Sequence, residues 1–263
     1  MKDIKIRAVS GSLYAAILIV AIFFSPFTMS AVIFIFSSLA LWEFQRLIQF
    51  KSIIPFFALA LSMGYAIFGF ITKQTEDMML YTALILNTIL IIVLFSSKKI
   101  NYSYPIKLIL SIGYLVFSSY FICRSAYEEL IYSPWLLALL YLSIWANNSF
   151  AYLFGSKFGK HKLLPSISPK KSWEGFFGGM IATFLFTYFI EKELNLFENK
   201  LWVVFAIMVP VLATLGDFIQ SYFKRIAKVK DSGSLIPGHG GFYDRMDSVI
   251  FVAPYYYLLL KFI

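Results

Sequence analysis

Apolar runs long enough to cross a bilayer recur from one end of this chain to the other, and nothing constrains its fold more. A membrane helix needs roughly 20 mostly apolar residues. Runs near that length fall at Gly11–Phe24, Phe27–Phe44, Ile53–Ile71, Met78–Leu94, Ile106–Cys123, Pro134–Tyr152, Phe176–Ile190, Leu201–Tyr222 and Ser248–Ile263. Charged residues make up 14% of the chain, against about 25% in a soluble domain. The expected fold is therefore all-α: a polytopic integral membrane protein with about nine transmembrane helices. No small-residue cleavage site follows the first run, so it is read as a retained span and not a signal peptide. Cys123 is the single cysteine, which excludes an intramolecular disulfide and a cysteine-based metal site.

Orientation follows from the basic residues, which concentrate on the cytoplasmic side of membrane proteins. Alternating the spans puts Arg46, Lys51, Lys107, Lys157, Lys160, Lys162, Lys170, Lys171, Lys224, Arg225, Lys228, Lys230 and Arg245 on one side. Lys73, Arg124, Lys192, Lys200 and Lys261 fall on the other, with Glu76, Asp77, Glu128 and Glu191. This predicts a cytoplasmic N-terminus and a C-terminus on the opposite side. The net charge of +9 is spread between apolar spans, so it suits anionic headgroups and phosphates and not nucleic acid. Residues 1–263 are read as one membrane domain. Residues 1–130 look like scaffold, with almost no ionisable residue at membrane depth, and residues 131–263 carry the chemistry.

Two polar islands interrupt that second half, Gly155–Gly175 and Leu215–Ser248. Charges of both signs between membrane spans are costly unless something binds there. In a helical eighth span, Asp217, Ser221 and Lys224 share one face at i, i+4 and i+7; the simpler role for Asp217 is to neutralise Lys224. Asp244 and Asp247 sit at i and i+3 at the start of the last span, where acids also complement a helix N-terminus. Three acids arriving from two helix ends suit Mg²⁺, which takes one or two carboxylates plus substrate phosphates. Gly238, Gly240 and Gly241 surround His239 in a turn able to bring backbone N–H groups to phosphate oxygens. His239 is a candidate phosphate contact or proton carrier, or a structural loop residue. Upstream, Ser168-Pro169-Lys170-Lys171-Ser172-Trp173-Glu174-Gly175 offers ammonium and hydroxyl donors at an expected helix start.

Ser221-x-Phe223-Lys224-Arg225, then Lys230-Asp231-x-Gly233, then Pro237-x-His239-Gly240-Gly241-Phe242-x-Asp244-Arg245-Met246-Asp247, resembles the signature of phosphatidate cytidylyltransferases, the CDP-diacylglycerol synthases. The match runs ungapped from Ser221 to Asp247, and Ser168–Gly175 is similar to the family's S-P-K-K-T-x-E-G element. The resemblance implies transfer of a cytidylyl group from CTP to phosphatidic acid, giving CDP-diacylglycerol and pyrophosphate. It implies Mg²⁺, with a second, monovalent cation such as K⁺, and a homodimer in the bacterial inner (plasma) membrane. Carried over by position, Asp217, Asp244 and Asp247 would bind metal, with Asp231 close by, and Lys224, Arg225, Lys230, Arg245 and His239 would act on the phosphates. Ser168, Lys170, Lys171, Ser172, Glu174, Ser221, Gly238, Gly240, Gly241 and Asn148 would bind substrate. Two positions depart from the family pattern, Asn148 where it has Asp and Gln220 where it has Glu. Each removes a negative charge. A transporter or flippase for an anionic substrate is the rival reading, but it would place polar groups near the midplane and show repeated halves. Neither is visible.

Overall fold

The computed structural model describes residues 2–68, 72–96, 102–128, 130–197, 200–238 and 240–262. Its helices are α1 (Lys2–Phe24), α2 (Pro26–Leu47), α3 (Ile54–Phe68), α4 (Lys73–Phe95), α5 (Tyr104–Ile109), α6 (Phe117–Arg124), α7 (Pro134–Phe158), α8 (Trp173–Leu194), α9 (Leu201–Ile226) and α10 (Tyr243–Leu260). A π-helical stretch, Leu110–Val116, joins α5 to α6. Among the described residues, each apolar run of the sequence falls mainly on helix. Among the described residues six helices are long and apolar enough to cross a membrane, and Val9–Phe24 and Ile54–Phe68 are shorter apolar helices. The chain is a multi-pass membrane protein.

Local chemistry sets the boundaries. Pro26 opens α2 behind Ser25, whose hydroxyl accepts the Thr28 N–H at 3.1 Å. Thr72 does the same for α4 by accepting from Thr75 at 3.3 Å. Both satisfy a helix N–H that has no intrahelical partner. Asn195 ends α8 in the left-handed conformation at φ 47°, which asparagine tolerates better than most residues.

The large side chains left exposed are apolar on the outward faces of α1, α3, α4 and α8, among them Val20, Phe57, Ile92 and Phe189. Lipid is their natural solvent. Inside, α10 runs against α9, α2, α6 and α4. At its far end, Lys261 pairs with Asp77 and Arg124 pairs with Glu76 at 2.8 Å. Helix α10 has 18 residues, about 27 Å at 1.5 Å per residue. Asp244 and Lys261 therefore stand close to a hydrocarbon thickness apart, about 30 Å.

The all-α expectation holds, and the helices are accompanied by two small elements of sheet. Two antiparallel hairpins are present, β1 (Tyr127–Glu128) with β2 (Ile131–Tyr132), and β3 (Lys162–Leu164) with β4 (Ser168–Ser172). The second hairpin lies within the polar island expected as loop, and that island starts late, because α7 continues through Gly155 to Phe158.

Candidate active site

The site is built where α9 crosses α10. Gly216 makes the close approach possible: a Cβ there would lie 2.7 Å from Phe251 Cβ and 2.9 Å from Asp247 O. Ser248 Oγ donates to Ala213 O at 3.3 Å across the same contact. Asp217, next in sequence on α9, and Asp247, on the first turns of α10, consequently line one cleft. Asp247 is buried and accepts the Ser248 N–H at 2.6 Å.

Asp244 is the hub. Its Oδ1 accepts from Lys224 Nζ at 2.7 Å and Gln220 Nε2 at 2.8 Å. Its Oδ2 accepts from Ser232 N at 2.8 Å, Ser232 Oγ at 2.9 Å and Gly241 N at 2.9 Å. Hydrogen bonds to a charged group are each stronger than neutral ones, so this carboxylate is held on both oxygens. Gly240 takes a positive φ of 82°, and a Cβ on it would fall 2.6 Å from Asp244 Oδ2. The glycine turn thus closes on a carboxylate: the Gly241 N–H expected to face a phosphate is engaged by Asp244. His239 lies outside the described residues.

The hairpin supplies the opposite wall. Lys171 on β4 reaches Asp217 Oδ2 at 2.7 Å, and Ser221 Oγ donates to Asp217 Oδ1 at 3.3 Å. The helical face that joins Asp217 to Lys224 in the sequence does not pair them. Each finds its partner on another element. Ser172 caps α8 by accepting the Gly175 N–H at 3.2 Å. Glu174 accepts from the N–H of Lys160 at 3.1 Å and of His161 at 3.1 Å, and contacts His161 Nδ1 at 2.6 Å. It holds the turn between α7 and β3. Arg225 likewise spends its guanidinium on backbone, Ile167 O at 3.2 Å and Val229 O at 3.4 Å.

Between these elements lies a cleft of about 570 Å³, lined by Asn148, Lys162, Lys170, Lys171, Ser172, Asp217, Asp244, Arg245 and Asp247. A shallower hollow beside it is lined by Lys170, Lys230, Asp231, Gly238, Gly240 and Arg245. A third, of about 400 Å³, opens between α1, α7 and α10 and shares Asn148, Asp244, Arg245 and Asp247 with the first. Arg245 faces all three. The structure therefore gathers Asn148, Lys170, Lys171, Ser172, Lys230, Asp231, Gly238, Gly240, Asp217, Asp244, Arg245 and Asp247 around one centre. Lys224, Ser221 and Gly241 act behind it on the two aspartates. Ser168 begins β4 against Leu164, and Glu174 and Arg225 brace the surround.

One residue singled out in the sequence finds its partner here, and one contributor escapes a reading of the sequence. Gln220 donates to Asp244, so the missing negative charge at this position is a hydrogen-bond donor here. Glu43, on α2 in the presumed scaffold, is fully buried and accepts from Ser232 Oγ at 2.8 Å and Tyr243 N at 2.9 Å. The signal was present: an acid inside the apolar run Leu41-Trp42-Glu43-Phe44 is a functional candidate by default.

With this geometry in view, the comparisons with known proteins are decisive. The model of the Cytidylyltransferase family matches residues 5–263. This chain belongs to that family. It is similar to a phosphatidate cytidylyltransferase of Haemophilus influenzae, at 30% identity over 96% of this chain and 97% of that protein. Staphylococcal proteins of the same name match shorter segments, at 38% identity over 58% of this chain and 57% of the Staphylococcus epidermidis protein. For Staphylococcus haemolyticus the figures are 43% over 46% of each chain. Family membership makes the chain a nucleotidyltransferase.

The donor set suits a hard cation. Asp217 and Asp247 present carboxylate oxygen to a cleft that also holds ammonium groups for phosphates, which is how Mg²⁺ is usually held. Among the described residues no three Asp, Glu, His or Cys side chains form a ready cage, so substrate oxygens would have to complete the coordination.

Proposed function

We propose that this chain is a phosphatidate cytidylyltransferase, joining CTP and phosphatidic acid to give CDP-diacylglycerol and pyrophosphate. The observation that carries the proposal is the single cleft at one end of the bundle, where Asp217, Asp244 and Asp247 meet Lys170, Lys171 and Arg245. Membrane lipids supply one substrate laterally and the cytoplasm supplies the other. The proposal includes the inner (plasma) membrane, nine spans with a cytoplasmic N-terminus and the opposite C-terminus, and a homodimer; its support is the charge pattern and the family resemblance.

The two ion pairs prepare the site for charge. Lys171 rests on Asp217 and Lys224 on Asp244, at 2.7 Å each. Entering phosphates compete for the Lys171 ammonium and free Asp217, while Lys224 stays behind the cleft on Asp244. The lipid phosphate needs no base, since its second pKa is about 6. One of its oxygens bonds to the α-phosphorus of CTP as the α–β bridging bond breaks, and the electron pair leaves with pyrophosphate. Arg245 and Lys170, at the junction of the cleft and the shallower hollow, hold the departing charge. When bound at Asp217, Asp244 and Asp247, Mg²⁺, with K⁺ as a second cation, would neutralise phosphate oxygens and polarise the reacting phosphorus. A transporter is not favoured, because the ionisable residues of the cleft gather at one end of α10 and α9.

Asp217→Asn and Asp247→Asn test the assignment. Each lowers cation-dependent incorporation of labelled CTP into lipid by roughly 10²-fold or more, the scale of losing one group that stabilises transition-state charge. Near-normal turnover in both variants removes these carboxylates from the metal site.

A further inference from the structure

Glu43 is an expensive residue to keep where it stands. It is 0% exposed on α2, and its Oε1 is buried with no hydrogen-bond partner among the described residues. Burying a carboxylate away from water is strongly unfavourable unless its interactions compensate. The backbone around it is shaped to fit. A Cβ on Gly233 would lie 2.2 Å from Glu43 Oε1, and a Cβ on Gly241 would lie 2.1 Å from Oε2. Only glycine permits the chain to wrap a carboxylate this closely.

Its contacts lead directly to Asp244. Glu43 Oε2 takes the Ser232 hydroxyl at 2.8 Å and the Tyr243 N–H at 2.9 Å. Those two residues bracket the loop that contains the glycine turn, and Tyr243 is the first residue of α10. Ser232 in turn donates its N–H to Asp244 Oδ2 at 2.8 Å, and its single hydroxyl proton is shared between Glu43 Oε2 and Asp244 Oδ2. Beneath them, Phe44 packs edge-on against Phe223 at 5.1 Å and Tyr243 at 5.4 Å, locking α2 to α9 and α10.

We propose that Glu43 is a positioning residue of the active site, acting through Ser232 and Tyr243 to hold Asp244 and the glycine turn in register. The proposal rests on the cytidylyltransferase reading of the same cleft. Its physical content is specific. Beside the Lys224 ammonium, the donors from Ser232, Gly241 and Gln220 set the orientation of Asp244. Glu43 fixes Ser232. The N-terminal half is then part of the catalytic apparatus, although no residue of α2 lines the main cleft.

The test uses the full-length protein in detergent micelles, assayed with CTP, phosphatidic acid and Mg²⁺. Glu43→Ala and Ser232→Ala each lower kcat/KM for CTP and raise the Mg²⁺ concentration for half-maximal rate, by about tenfold, the scale of one or two lost hydrogen bonds to a charged group. Because the two act on one path, the double variant falls no further than the weaker single. Glu43→Gln keeps an acceptor oxygen and restores CTP and Mg²⁺ dependence to within about twofold. Thermal shift produced by CTP, measured without turnover, weakens in the same order. Unchanged CTP and Mg²⁺ dependence in Ser232→Ala, or losses that multiply in the double variant, overturns the role of Glu43. Where Glu43→Ala fails to fold, Ser232→Ala and Glu43→Gln still decide. Absence of cytidylyl transfer in the unaltered protein overturns the activity reading instead.

Discussion

Lys224 and Lys171 each pair with an aspartate of the site, and burial separates the two pairs. Replacing Lys224 with Met leaves Asp244 without its charge partner in a pair whose side chains are only 12% and 6% exposed. Breaking a buried pair from one side costs about 3–5 kcal/mol. Four neutral hydrogen bonds to Asp244 survive the change, from Gln220, Ser232 N, Ser232 Oγ and Gly241, which places the loss near the lower end, about 3 kcal/mol. The Lys171–Asp217 pair is 26% and 33% exposed, where a single pair contributes about 0–1 kcal/mol. Lys171→Met should therefore unfold almost like the unaltered protein. Both variants lose activity, Lys171→Met by removing an ammonium that lines the cleft and Lys224→Met by releasing Asp244. The assay is equilibrium unfolding in mixed micelles followed by tryptophan fluorescence, with turnover measured on the same samples. Lys224→Met combined with Asp244→Asn recovers part of the lost stability, because the stranded charge is removed with its partner. Equal stability of Lys224→Met and Lys171→Met would refute the account of Asp244 as a buried hub.

Gln220→Glu sets a carboxylate against Asp244 Oδ1, where an amide now donates at 2.8 Å. Like charges at this range destabilise, so the variant should melt lower without divalent cation and recover more than the parent on adding Mg²⁺; identical Mg²⁺ responses would disconnect Gln220 from the metal site. Glu174→Ala removes the acceptor of two backbone N–H groups and the partner of His161. It should lower the melting temperature while KM for CTP and phosphatidic acid changes less than about twofold, and a KM shift comparable to the loss in kcat would place Glu174 on substrate.

Helix positions were legible because membrane spans announce themselves by length and apolarity, and the run Ser221–Asp247 pointed to the chemistry through its resemblance to a family signature. Pairing was not legible. Asp217 and Lys224 share a helix face, yet the hairpin that brings Lys171 to Asp217 depends on a strand register that Ser168–Ser172 does not advertise, carrying as it does a proline and two lysines. Asp244 accepts from residues before and within the glycine turn, a closure that local spacing cannot reveal. Glu43 lies far from the site in sequence, 189 residues from Ser232, and only tertiary packing of α2 joins them.

The central claim is that this cleft carries a cytidylyl group from CTP to a lipid phosphate. Purified protein given phosphatidic acid and CTP labelled at either the α- or the γ-phosphorus tests it directly. The account predicts that the α label enters the chloroform-soluble lipid, the γ label leaves as pyrophosphate, and both require divalent cation and disappear together in Asp247→Asn. Label from the γ position in the lipid, or α label that stays water-soluble with active unaltered protein, would contradict it.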